Sequence, residues 1–193
     1  MAAMGPGEAG RARGMSAGYS SLVAAASRTI GAMYLDAMEF LEEERDAWRP
    51  FEALAGLSDE QLSTRLETAH DWAGRDLMAH LLAWQEIALR AAKELAVNDT
   101  SDTFARASAD WDARGGDVVN AEIESNWATV AMTELRDRFE TQPGELRGYL
   151  TVVPETRWLK HAKNLESFRE ETIEHYEDHV EDLRAILSAA GVG

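Results

Sequence analysis

Apolar residues recur along this chain at three- and four-residue steps, the period of helices that bury one face. Over residues 28–54 the stripe is Ile30, Met33, Ala37, Phe40, Leu41, Trp48 and Phe51, with Pro50 placed to kink or end the helix. Gly56 then suits a C-cap, and Ser58 an N-cap with Glu60 and Gln61 in the next turn. A second helix over residues 72–96 carries Leu77, Leu81, Trp84, Ala88, Ala91 and Leu95 on one side. The polar run from Asn98 to Asp102 ends it, because such side chains compete for backbone hydrogen bonds.

A long connection, residues 97–117, turns at Gly115 and Gly116. The third segment, residues 118–153, carries Ile123, Trp127, Ala131, Leu135, Phe139, Leu146 and Leu150, and Pro143–Gly144 is placed to divide it. "VVPETRWLKHAKN" reads as a loop, and a fourth helix over residues 165–190 stops at Gly191. No strand-like alternation and no internal repeat is present. The pattern predicts an all-α fold: a four-helix bundle with a long crossover between helices 2 and 3.

With 193 residues, 45% of them hydrophobic, the chain is long enough and apolar enough for a core. Residues 1–18, rich in Gly, Ala and Arg, are expected to be disordered, leaving residues 19–193 as a single domain; Met15 is a second candidate start. The apolar patch at residues 22–26 is too short for a signal peptide, and Arg28 follows at once. No apolar run approaches the roughly 20 residues of a membrane span, so a cytoplasmic protein is expected. The net charge of −16 argues against nucleic-acid partners and against docking on anionic lipid. With no cysteine, a metal site would have to use His, Asp or Glu.

That restriction directs attention to the histidines. The core stripe of the fourth helix reads Leu165, Phe168, Thr172, His175, His179, Leu183, Ile186, while Glu170, Glu171, Glu174, Glu177, Asp178 and Glu181 fall outward. His175 and His179 therefore point inward at a spacing of four, one turn apart. On the second helix, His80 stands between Leu77 and Leu81, one turn before Trp84. Three imidazoles directed at one interior leave two readings open. They are core histidines paired with backbone or hydroxyl groups, or they are the ligands of a divalent cation. Three protein ligands would leave a position open for water or substrate, as in catalytic sites.

Better-known metal motifs do not fit. In "HYEDH" a zincin would need Glu where Tyr176 stands, and the inverted pattern would need Glu where Asp178 stands. A di-iron carboxylate bundle needs Glu three residues before each His, where Thr172 and Tyr176 stand. His70 and His161 fall in connecting stretches and read as peripheral.

"DWAGRDLMAHLLAWQE", followed far downstream by "ETIEHYEDHVEDL", resembles the DinB-like superfamily over about residues 29–190. Trp72, Asp76, His80 and Trp84 match its second-helix signature, and His175 and His179 its fourth-helix His-x-x-x-His. "WDARGGDVVN" with "HYEDHVEDL" further resembles the ClbS/DfsB branch, one protein of which hydrolyses a reactive cyclopropane in a genotoxin. The resemblance implies a four-helix bundle, often dimeric, with zinc or nickel on His80, His175 and His179. It also implies chemistry on a small molecule, by hydrolysis or by transfer of an external small thiol. Ala73 departs from the pattern, standing where many relatives have a Ser or Thr cap.

In a metal-dependent enzyme the ion would act as a Lewis acid or activate a water or thiol. Trp84, Trp111 and Trp127 are candidates for the pocket wall, competing with plain packing roles. Glu44, near the inward stripe of the first helix, and Asp76 are candidates to orient a ligand from behind. The usual exposure of Glu favours a solvated Glu44 instead, and the helix dipole already explains Asp76. Two other accounts remain: a bundle that captures a small molecule without turning it over, and a metal-free bundle with a hydrogen-bonded histidine core.

Overall fold

The structure, a computed structural model, describes residues 34–192. The N-terminal readings (the disordered segment, Met15, and the stripe positions Ile30 and Met33) lie outside the described residues. Among the described residues the fold is all-helical with no strand; one isolated antiparallel bridge pairs Leu66 with Trp72. No helix among them is long and apolar enough to cross a membrane.

Helix α1, Ala37–Trp48, starts at Asp36, whose carboxylate accepts from the amides of Met38 (2.9 Å) and Glu39 (3.2 Å). Pro50 does not kink it. It sits at the start of a 3-10 segment, Arg49–Gly56, where its missing donor costs nothing. Ser58 and Gln61 form the anticipated capping box of the short α2, Asp59–Leu62. Helix α3, Gly74–Val97, has no side-chain cap at Ala73; instead Asp76 reaches back to the Ala73 amide at 3.0 Å. Its far end is closed by Asn98, whose amide donates to the Glu94 carbonyl.

Two boundaries differ from the sequence reading. The connection after α3 is itself helical, as α4 (Thr103–Arg114), and turns at Gly115, φ +82°, into α5 (Gly116–Ala128), the first part of the expected third segment. Helix α4 carries few apolar residues that reach the core, so its periodicity is weak: it buries only Thr103 and Phe104. Nor does Pro143 divide the third segment. Helix α6, Met132–Val152, runs through it, and the break falls at residues 129–131, where Ala131 is extended. An interior proline costs about 3 kcal/mol. The continuous buried face of Leu135, Phe139, Leu146 and Leu150 offsets it.

The C-terminal run begins slightly earlier than expected, at α7, Ala162–Arg169, with His161 accepting from the Asn164 amide. It then passes through a π-helical turn, Glu170–Glu174, before α8, His175–Asp178, and α9, Val180–Ala189. The Thr172 hydroxyl donates to the Phe168 carbonyl four residues back, occupying a group the α-helical ladder would otherwise use. The α-helical pattern is interrupted again at His179, φ −103° and ψ 9°.

Helices α1, α3 and α6 and the C-terminal run share one interior. It holds an apolar cluster around Trp48, Phe51, Leu77, Leu81, Phe139 and Leu183, and another around Phe40, Leu95, Leu150, Trp158, Leu165 and Phe168. Between them lies a polar layer with one residue from each helix. Tyr176 donates to Glu44 (3.2 Å) and accepts from Gln85 (2.8 Å), and Gln142 donates to Gln85 (3.3 Å) and to the Leu82 carbonyl (2.8 Å). Burial pushes the Glu44 carboxyl up, and the Arg147 guanidinium at 2.7 Å pulls it back.

Arg147→Ala strands that carboxylate, so it should lower the unfolding free energy by about 3 kcal/mol in urea titration. Adding Glu44→Gln should recover part of the loss; a neutral outcome for Arg147→Ala alone would mean that the ion pair contributes nothing.

Candidate metal centre

His80 comes from α3, while His175 and His179 open and follow α8. One ligand-competent atom from each lies within 4.8 Å of the others. The Nε2 atoms of His80 and His175 are 2.9 Å apart, and the three rings are mutually in contact, with centroids 4.7–4.9 Å apart. His80 is fully buried and its partners are half-buried.

Burial, reinforced by the neighbouring imidazoles, pulls the His80 pKa down to about 3 and that of His175 well below its ordinary value. Both are neutral at pH 7, the form that ligates metals. Two bare nitrogen lone pairs at 2.9 Å repel unless a proton or a cation lies between them. Tetrahedral zinc with Zn–N of about 2.0–2.1 Å holds its nitrogens roughly 3.3–3.4 Å apart, within a small side-chain adjustment of this pair. The donor set therefore fits a divalent cation.

Two indoles flank the rings. Trp72 lies 4.7 Å from His80 and 5.5 Å from His179, and Trp84 lies 5.2 Å from His175. Trp111 packs edge-on against Trp84 but is 41% exposed. Trp127 lines a small cavity of about 10 Å³ beside His80, with Trp72, Ala79, Asn120 and Ile123. That is room for about one water molecule.

The other two candidates have different partners. Glu44 is fully buried, not solvated, yet it meets Tyr176 and Arg147 and no imidazole. Asp76 borders the cavity, but its carboxylate is taken by the Ala73 amide and by Arg65 at 3.5 Å. It caps α3 and orients no histidine.

Three contributors were not visible in the sequence pattern. Asp182 is buried, and its two oxygens accept from Nδ1 of His179 (2.8 Å) and Nδ1 of His70 (2.9 Å). His70 is therefore tied to the site, and the peripheral place given to it is corrected. Glu171, assigned outward, is half-buried with Oε2 shielded and unpaired. It stands four residues before His175, a step that already places it near the histidine face, so the outward assignment neglected that spacing. Of the four unpaired buried side-chain atoms among the described residues, two border this region: Trp84 Nε1, and Asn120 Oδ1 in the cavity wall.

No protein-family model matches the chain, and neither a curated protein nor a solved structure matches it.

Burial first, then the charge of Glu170, raises the Glu171 pKa to about 8. The unfolded chain releases this proton near pH 4.5. The folded state thus binds more protons between those values, and stability falls as pH rises from about 4.5 through about 8. Glu171→Gln should match the parent near pH 4 and exceed it in melting temperature above pH 8. Parallel melting curves across that range would place Glu171 in water.

Proposed function

We propose that this chain is a divalent-metal-dependent enzyme acting on a small electrophilic molecule by hydrolysis or thiol transfer. In this reading it is a four-helix bundle of the DinB-like kind, with α4 and α5 as the crossover between its second and third helices. The family assignment rests on the residues themselves: Trp72 just before α3, Asp76, His80 and Trp84 on it, and His175 and His179 downstream. The ClbS/DfsB branch is the closer resemblance, through "WDARGGDVVN" and "HYEDHVEDL".

The function rests on one observation: three imidazoles from two separate elements converge within 4.8 Å. Assembling them in an interior is costly unless something organises them. His80, His175 and His179 would hold the ion, zinc or nickel by ligand type. The ion would supply Lewis acidity, lowering the pKa of a water or thiol that it binds. Trp72 and Trp84 cover the rings and limit water. Trp84 Nε1 and Asn120 Oδ1 are a donor and an acceptor without partners, suited to a polar small molecule. Since the chain has no cysteine, a thiol-transfer reaction would draw on an external small thiol.

A second reading is favoured by one distance. The 2.9 Å Nε2···Nε2 contact between His80 and His175 is also that of an N–H···N hydrogen bond. A metal-free bundle that binds or sequesters its ligand would keep that bond.

Untagged protein dialysed against zinc or nickel and then freed of excess should retain about one equivalent per chain. His175→Ala and His179→Ala should retain none, by elemental analysis and by loss of the metal-induced thermal shift. A parent chain that takes up neither ion, with no shift in melting temperature, removes the metal and leaves the sequestering account.

A further inference from the structure

We propose that His70 is a positioning residue for the metal centre. Through Asp182 it fixes the tautomer and ring plane of His179, so that His179 Nε2 is the atom turned to the cation. This rests on the metal-centre reading above and extends it to a residue outside the ligand set.

The Asp182 carboxylate is the link. It is 3% exposed, and each of its oxygens accepts from one imidazole: Oδ2 from His179 Nδ1 at 2.8 Å, Oδ1 from His70 Nδ1 at 2.9 Å. A carboxylate only accepts, so both Nδ1 atoms must carry their protons. In His179 that leaves Nε2 as the nitrogen free to ligate. A metal-bound histidine whose second nitrogen donates to a carboxylate has its tautomer and orientation set by that bond. What is particular here is the second imidazole. With one donor, the buried Asp182 side chain would remain free to rotate about its terminal bond; with a donor on each oxygen, its plane is fixed.

Local structure explains how each partner arrives. His179 is the N-cap of α9 and Asp182 its third residue, the place from which an acidic side chain reaches back toward a cap. His70 comes from a tight loop closed by three backbone bonds: Leu66 N–H to the Trp72 carbonyl (3.0 Å), Ala69 to Leu66 (3.0 Å) and Trp72 to Ala69 (2.8 Å). At its tip His70 (φ 54°) and Asp71 (φ 60°) are both left-handed, and neither is glycine. Two consecutive residues in that region are unfavourable and persist where surrounding contacts over-determine them. The Asp182 bond is such a contact. The same loop also lays Trp72 over His80 and His179. Yet the His70 side chain is 69% exposed, so apolar burial does not explain why it is held there.

Cobalt(II) alone is the probe, titrated into the full untagged chain. Affinity is read by competition with a chelator, coordination by the visible ligand-field spectrum, and the His179 tautomer by long-range proton–nitrogen NMR. The parent should bind one cobalt with His179 in the Nδ1–H form. His70→Ala should weaken binding about 10-fold and broaden or shift the spectrum, and Asp182→Asn should weaken it 10- to 100-fold. His70→Gln, which keeps a donor, should recover affinity where His70→Ala does not. Should Asp182→Asn fail to fold, the exposed His70 position still carries the test.

His70→Ala with parental affinity, spectrum and tautomer overturns the proposal. So does a loss of affinity matched by an equal fall in metal-free stability that His70→Gln fails to reverse, since His70 would then be a mere staple for the loop. A parent chain that binds no cobalt, zinc or nickel instead removes the metal reading, and this inference falls with it.

Discussion

The polar layer through the core sets everything above it. Glu44, Gln85, Gln142 and Tyr176 come from four different helical segments and close one hydrogen-bonded chain between two apolar clusters. Apolar contacts tolerate sliding and rotation; hydrogen bonds among buried groups do not, because each lost partner costs about 1–3 kcal/mol. Tyr176 is the member that matters for the site. It is fully buried and lies between His175 and His179 in sequence, so anchoring its hydroxyl between Glu44 and Gln85 fixes the rotation of α8. One residue of rotation is about 100° on a helix. A slip of that size would carry both histidines away from His80. The acid that the layer contains is therefore connected to the centre through helix register and not through a bond to an imidazole.

With register fixed, the electrostatics of the site follow. His80 and His175 are held neutral by burial and by neighbouring imidazoles, and their Nε2 atoms lie 2.9 Å apart. Such a pair wants something positive between its lone pairs, a shared proton or a metal ion. The same environment that opposes protonation of the rings makes their lone pairs available, which is the condition for ligation at neutral pH. The surrounding indoles deepen this effect by thinning the water around the rings.

The helical class, the ends of α3 and the three imidazoles were legible in the sequence because each depends on local signals: a 3.6-residue stripe, a polar stop at Asn98, and inward positions four apart. What was illegible had non-local causes. Pro143 looked like a breaker, yet packing on both sides of it kept α6 whole. Helix α4 looked like a connection because its residues are mostly exposed and give little amphipathic contrast. Glu171, Tyr176 and Asp182 were misjudged or passed over for a shared reason. The stripe took one residue per turn (Thr172, His175, His179, Leu183) and left out the neighbours at 171, 176 and 182 that share the wide buried face. His70 could not be found by periodicity at all, being presented by a left-handed turn.

Those two interruptions bracket the ligand pair closely: the π turn ends at Glu174 and the break falls on His179, leaving a four-residue helix between them. An unbroken α-helix would place residues 171, 175, 179 and 182 in a slowly drifting line along one face. It would not contain the π-helical turn at Glu170–Glu174. Nor would it turn His179 into a helix cap within reach of Asp182 on the following turn. Irregular turns of this kind cost backbone hydrogen bonds, and here one such carbonyl is taken up by the Thr172 hydroxyl. The second departure from regular helix thus lies where an imidazole, His179, meets its carboxylate partner Asp182. Regular structure carries the bundle; the site is made where it lapses.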